Sequence, residues 1–89
     1  MIERALDQDP NNGAYLDSFG WILYRLGRYD EAEVQIRRAL EILQSDATIF
    51  DHLGDILAAR GRQQEAIENW RRALELDPEN EDLQRKLLE

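Results

Sequence analysis

The sequence predicts an all-α fold built from antiparallel helix–turn–helix repeats that stack into a short array. Residues 13–46 and 47–80 share 13 identities in 34 aligned positions. A set of small residues also returns after 34 positions, namely Gly20, Gly27, Ala32 and Ala39, then Gly54, Gly61, Ala66 and Ala73. Apolar residues recur at three- and four-residue spacing, which is typical of helices with one buried face. A fixed period of this length indicates a helical repeat array.

The first repeat, 13–46, is expected to contain helices over 13–26 and 31–43. Gly27 ends the first helix, because glycine adopts a positive backbone φ without strain. Asp30 is the predicted N-cap of the second helix. The predicted buried positions are Leu16, Phe19, Gly20, Leu23 and Leu26 in the first helix, and Ala32, Ile36, Ala39, Leu40 and Leu43 in the second.

The second repeat follows the same plan over 47–80. Asp46 is expected to cap a helix over 47–59, and Gly61 lies in the turn that follows. The next helix, 64–76, is stopped by Pro78, since a proline ring does not fit a helix interior. The inward positions of that helix are Ala66, Ile67, Trp70, Ala73 and Leu74.

Both ends of the chain also align with the repeat. Residues 1–12 match the second half of a preceding repeat, which predicts that the chain is a fragment of a longer array. Residues 81–89 are expected to form a C-terminal capping helix with Asn80 as its N-cap. The apolar side of that helix consists of Leu83, Leu87 and Leu88. A helix with a polar outer face is what the end of a repeat array requires.

The repeated positions resemble the tetratricopeptide repeat (TPR) family, and the resemblance covers 13–80 in full. The residues that form this signature are Gly20, Gly27, Ala32, Ala39, Gly54, Gly61, Ala66, Trp70, Ala73 and Pro78. The chain departs from the family pattern in two ways. Gln44 stands where the family usually has a proline, and Leu16 and Phe50 stand where it often has tryptophan. The resemblance implies a short right-handed α-solenoid, excised from a larger bacterial TPR protein.

The resemblance also implies where a partner binds. In this family the first helix of each repeat lines a concave groove that commonly takes an extended or helical peptide. Carried over, the groove residues are Asp17, Trp21, Tyr24, Asp51, His52 and Asp55. This set is acidic with one aromatic platform, so we expect a partner segment that bears basic residues. Trp21 is the expected anchor; alternatively, Trp21 and Tyr24 pack against a preceding repeat or the adjoining helix.

Composition excludes several other classes of function. The net charge of −8 argues against nucleic acid, whose phosphates would be repelled. Without cysteine the chain has no disulfide and no thiolate metal site, and we expect no metal and no cofactor. Ser18, His52 and Asp55 suggest a triad, but Ser18 and His52 occupy equivalent positions on successive helices, which are too far apart for a direct hydrogen bond. We therefore expect no enzyme activity.

Some TPR domains hold a C-terminal carboxylate of a chaperone with lysine and asparagine on these helices. The carboxylates of Asp17, Asp51 and Asp55 would repel such a terminus. An alternative function is self-association through apolar residues exposed at the two ends, which are Ile2, Ala5 and Leu6, and Leu83 and Leu87. No apolar run reaches the length of a membrane span. We expect a soluble, cytoplasmic protein, or a periplasmic one if the parent chain carries a signal peptide.

The excess of arginine over lysine has two possible explanations. Lys86 is the only lysine, beside ten arginines. An acidic, lysine-poor surface is compatible with a halophilic source, in which charge keeps a protein soluble. A GC-rich genome, which favours arginine codons, would produce the same composition.

Overall fold

A computed structural model describes residues 12–88, which form five α-helices and no strand. The helices are α1 (Gly13–Arg25), α2 (Tyr29–Ile42), α3 (Ala47–Ala59), α4 (Gln63–Leu76) and α5 (Glu81–Leu88). The all-α fold predicted from the repeat is thus confirmed. The chain divides into two compact units, of which the first ends at Gln44 and the second begins at Ser45. The half-repeat predicted at the N-terminus, with Ile2, Ala5 and Leu6, precedes the described residues.

Side chains cap three of the helices at their N-termini. Asp46 Oδ1 accepts hydrogen bonds from the backbone N–H groups of Thr48, at 2.9 Å, and Ile49, at 3.4 Å. Asn80 Oδ1 accepts from the N–H of Leu83 at 3.1 Å. Both predicted caps are therefore confirmed, because each satisfies donors that the first helical turn leaves unpaired. Asn12 caps α1 in the same way, through the N–H of Tyr15.

The prediction that Asp30 caps α2 is wrong. The helix begins at Tyr29, and its N-cap residue, Arg28, makes no side-chain capping bond. The reason is the tightness of the preceding turn: the N–H of Gly27 bonds to the Tyr24 carbonyl at 3.0 Å, and the N–H of Arg28 bonds to the Leu23 carbonyl at 2.9 Å. These two bonds close the end of α1 so that the chain re-enters a helix at once.

The same turn recurs in the second unit. Gly27 and Gly61 have φ values of 81° and 79°, in the left-handed region that favours glycine. The N–H of Gly61 bonds to the Ala58 carbonyl and the N–H of Arg62 to the Leu57 carbonyl, at 3.0 and 2.9 Å. Each turn reverses the chain within a few residues, and the two helices that it joins pack against each other.

The first unit buries small and branched side chains between α1 and α2. The residues that are at most 4% exposed are Leu16 and Leu23 of α1, and Ala32, Ile36 and Ala39 of α2. Gly20 also lies in this interface, where an added Cβ would come within 2.7 Å of Ile36 Cδ1. Leu26 and Leu43 were expected to be buried but are exposed. Each is the C-cap residue of its helix, where the chain turns away from the packed face.

The second unit buries a larger aromatic residue in the corresponding interface. Trp70 of α4 is 6% exposed, and an added Cβ at Gly54 of α3 would overlap its indole ring. The other buried side chains are Ile49, Leu53, Ile56 and Leu57 of α3, Ala66 and Ala73 of α4, and Leu83 of α5. Helix α5 packs on α4 through Leu83. None of the five described helices has both the length and the apolar character needed to cross a membrane.

Candidate functional site

Helix α1 carries a group of aromatic rings on one side. Asp17, Trp21 and Tyr24 are spaced by four and three residues, and all three side chains are partly exposed. The rings of Trp21 and Tyr24 are stacked, with their centroids 4.7 Å apart and their planes 20° from parallel. Stacking of this kind restrains both rings and covers one face of each. We call Asp17, Trp21 and Tyr24, together with Tyr29, the aromatic face of the first unit.

Tyr29 was not among the residues predicted for a site. Its ring lies 5.5 Å from that of Tyr24, with the planes tilted by 47°. The tight turn at Gly27 brings this first residue of α2 back beside the end of α1. A signal was present in the sequence, because Trp21, Tyr24 and Tyr29 are three aromatic residues that closely flank a turn glycine.

Helix α3 carries two carboxylates on one side, and the structure pairs both with a lysine of α5. Asp51 and Asp55 are one helical turn apart, so their side chains lie next to each other. Lys86 Nζ donates to Asp51 Oδ1 at 2.7 Å and to Asp55 Oδ1 at 3.0 Å. We call Asp51 and Asp55 the acidic pair. The cation that contacts these residues in the structure thus comes from the same chain, whereas the predicted cation of a partner stays a prediction.

Trp70 also contacts the acidic pair. Its indole Nε1–H donates to Asp55 Oδ1 at 3.2 Å, so that oxygen accepts from both Trp70 and Lys86. Lys86 Nζ also lies 5.7 Å from the centroid of the Trp70 ring, within the range of a cation–π interaction. The ammonium group is thus held by two carboxylates and one aromatic ring, all from the second unit.

The role of Lys86 could not be found from the sequence pattern. The residue lies more than 30 positions from its two partners, and local spacing relates only residues a few positions apart. The only signal was that it is the sole lysine of the chain. The repeat pattern predicts α5 only as a capping helix and indicates no role for its polar residues.

The environment of Lys86 changes its pKa, which is raised above the usual 10.5. Partial burial is the largest single influence and acts to lower the pKa, because desolvation disfavours the charged ammonium. The hydrogen bonds to Asp51 and Asp55, together with their negative charges, outweigh that influence. Lys86 is therefore fully charged at neutral pH.

His52 lies beside Asp51 on α3 and is half-buried. Ser18, which the sequence suggested as a triad partner, is exposed on α1 of the other unit. Among residues 12–88, no group of three or more histidine, cysteine or acidic side chains is arranged to hold a metal ion. Every buried side-chain nitrogen and oxygen in the described part of the chain has a hydrogen-bond partner.

The geometry of two helical hairpins, each closed by a glycine turn, agrees with comparisons to known protein families. A model described as a tetratricopeptide repeat matches residues 13–45, and one described as a TPR repeat matches residues 54–87. The two matches describe the same kind of repeat and together cover more than half of the chain. The chain therefore belongs to the tetratricopeptide repeat family.

A TPR repeat-containing protein of Pseudomonas aeruginosa is a relative by sequence. It is 44% identical over 41 residues, which represent 46% of this chain and 7% of that protein. The chain thus corresponds to a small part of the length of that relative. The expectation of a bacterial TPR protein is consistent with this match.

Several solved structures share the fold. The first TPR of Spaghetti, bound to an HSP90 peptide, has a TM-score of 0.92 at 24% identity, over 97% of this chain and 68% of that one. An O-GlcNAc transferase of Thermobaculum terrenum gives 0.93 at 29% identity, over 97% and 16%. A TPR protein of Thermus thermophilus gives 0.87 at 25% identity, over 98% and 44%. These similarities confirm the all-α TPR solenoid fold.

Proposed function

We propose that this chain is a protein-interaction module that binds a partner segment bearing basic residues through the first helix of each repeat. The observation that carries the proposal is the aromatic face, where Trp21 and Tyr24 stack while remaining partly exposed. Rigid aromatic side chains of this type contribute most to binding at protein interfaces, since they bury a large area and lose little conformational freedom. We assign the module no catalytic step and no cofactor.

The charges near these residues support a basic partner. Asp17 lies one helical turn before Trp21, so a lysine or arginine stacked on the indole ring would meet a carboxylate. In the second unit the acidic pair holds an ammonium group, which supports the same ligand chemistry for α3. A net charge of −8 would also speed the approach of a positively charged segment.

The peptide in the Spaghetti complex suggests a sharp test. The sequence of that peptide, SRMEEVD, carries three acidic residues and one arginine. We expect this acidic heptapeptide not to bind the present chain, because its carboxylates would be repelled by Asp17 in the first unit, and equally by the acidic pair in the second. The variant SRMKKVK, in which lysine replaces all three acidic residues, should bind, and we call it the lysine heptapeptide.

Fluorescence anisotropy of the two labelled peptides, titrated with the chain at low salt, measures the difference. The proposal predicts saturable binding of the lysine heptapeptide that weakens as salt is added, because exposed charges are screened. Equal affinity for the two peptides would contradict the proposed preference for basic residues. A tighter complex with the acidic heptapeptide would reverse it.

Self-association is a second candidate function, favoured by one observation at the end of α5. Leu88 is 86% exposed, whereas Leu83, which was expected to be exposed there, is fully buried. The exposed apolar end of α5 could pair with a second copy. Light scattering over a range of concentrations tests this candidate, with Leu88→Asp as the comparison. A monomer at every concentration would eliminate it.

A further inference from the structure

We propose that Lys86 is an internal ligand of the acidic pair, so that it competes with a partner's lysine for Asp51 and Asp55. This inference rests on the proposed function, because it describes how the same carboxylates would be made available to a basic segment. The contacts on which it depends lie within the second unit and join α5 to α3 across distances of 2.7 and 3.0 Å.

The acidic pair is formed independently of its occupant. Asp51 and Asp55 are held one turn apart by the backbone of α3, and the Trp70 indole N–H fixes Asp55 from the side of α4. Neither constraint involves Lys86. Departure of the lysine would therefore leave two adjacent carboxylates and an aromatic ring, which together suit a primary ammonium group.

Lys86 can leave the acidic pair without unfolding the second unit. Its side chain is 30% exposed, and those of Asp51 and Asp55 are 21% and 20% exposed, so solvent reaches all three. A lysine side chain is long and flexible, and its charge is well hydrated once released. Leu83 anchors α5 on α4 independently, since it is completely buried. The exchange thus requires a change of side-chain conformation and no loss of helix packing.

The incoming lysine would make the same contacts that Lys86 gives up. Competition of this kind weakens the binding of a partner to the second unit. The partner must displace Lys86, which is always present at high local concentration. A partner with a single basic residue gains little there, whereas a segment with several lysines offers several groups that can replace Lys86. Lys86 would therefore favour partners that carry clustered basic residues.

Lys86→Gln tests the competition, with Arg85→Gln as a matched control. Both changes remove one positive charge from adjacent positions of α5, but the Arg85 side chain is 70% exposed and pairs with Asp82. We expect Lys86→Gln to bind the lysine heptapeptide about three- to ten-fold more tightly than Arg85→Gln, as partly exposed ion pairs allow. Lys86→Arg keeps the cation and should bind like the unaltered chain. Equal affinities for Lys86→Gln and Arg85→Gln would overturn the inference.

A measurement on the unaltered chain covers the case in which Lys86→Gln fails to fold. Since Lys86 is the only lysine, protein labelled with ¹³C at lysine Cε gives one lysine signal. Saturation with the lysine heptapeptide should move that signal toward the position of a free lysine. A signal that stays in place at saturation would overturn the inference.

The outcomes separate the inference from the proposed function. If the peptide binds and Trp21→Ala abolishes binding, while Lys86→Gln matches Arg85→Gln, the proposed function stands and the competition is wrong. If the peptide binds none of these proteins, the proposed preference for basic segments and the competition are both wrong.

Discussion

Gly54→Ala places one methyl group against the most constrained side chain of the second unit. An added Cβ would overlap Nε1 and Cδ1 of the Trp70 indole and lie 3.0 Å from its Cε2. The ring is 6% exposed and hydrogen-bonded to Asp55, so it can move only by breaking that hydrogen bond and displacing its neighbours. The substitution should therefore destabilise the fold, although alanine is the better helix former.

The magnitude follows from three contributions. Overpacking of a core costs about 1–3 kcal/mol, and the Trp70–Asp55 hydrogen bond contributes about 1 kcal/mol. Replacing glycine by alanine in a helix interior returns about 1 kcal/mol. We expect a net loss of about 1–3 kcal/mol, which lowers the Tm of a domain of this size by roughly 4–8 °C for each kcal/mol.

Gly20→Ala is the matched control, since it occupies the equivalent position of the first unit. There the added Cβ would meet the end of Ile36, with Cδ1 and Cγ1 both at 2.7 Å. An isoleucine side chain adapts more readily than an indole ring, so we expect a net loss of less than about 1 kcal/mol. Thermal unfolding followed by circular dichroism measures both variants.

A double-mutant cycle identifies the cause. In a Trp70→Leu background the clash with the ring and the hydrogen bond are both gone, so Gly54→Ala should cost nothing and gain up to about 1 kcal/mol from helix propensity. A cost that persists in that background, or a Gly54→Ala protein as stable as the unaltered chain, would refute the packing argument.

Three further predictions test other parts of the structure. Trp70→Ala should lower the free energy of unfolding by about 3–5 kcal/mol, because it deletes a core side chain. A loss below about 1 kcal/mol, measured by urea unfolding, would contradict this. Asp46→Ala should cost about 1 kcal/mol because a helix cap is lost. Asp30→Ala should cost a few tenths, since Asp30 lies inside the first turn, where it adds a favourable charge and accepts only from the adjacent Glu31 N–H. Similar losses in the same assay would show that Asp46 is not a special cap. The pKa of Lys86 is raised in the folded state, so its contribution is fully present below its ordinary pKa of 10.5 and is lost as the pH rises through the folded pKa. The difference in urea midpoint between the unaltered chain and Lys86→Gln should therefore shrink as the pH rises above that ordinary value, and a constant difference would be evidence against the pairing.

Much of the fold could be predicted because it depends on local chemistry. Glycine turns, the caps Asp46 and Asn80, and the apolar spacing each act over a few residues, and the sequence displays them directly. The prediction that Asp30 caps α2 was wrong because it rested on residue type alone. The hydrogen bonds of the preceding turn determine where α2 begins. The prediction that Leu26 is buried was wrong for a similar reason. Its spacing suits the buried face, but α1 ends just before it.

The candidate site was only partly predictable, for a different physical reason. The shared side of Asp51 and Asp55 follows from helical spacing, and so does that of Trp21 and Tyr24. The ammonium group of Lys86 arrives from a helix far along the chain, and no periodic pattern encodes that pairing. Contacts of this kind depend on how helices pack, which spacing alone does not specify.

The central claim is that Trp21 anchors a partner, and the affinity of the lysine heptapeptide for Trp21→Ala tests it most directly. Tyr15→Ala is the control, because Tyr15 is also an exposed aromatic residue of α1 but lies on the opposite side of the helix. We expect Trp21→Ala to weaken binding by about 30-fold or more, with helix content and unfolding midpoint nearly unchanged. Tyr15→Ala should bind normally. Unchanged affinity in Trp21→Ala, or loss of its folded state, would contradict the account.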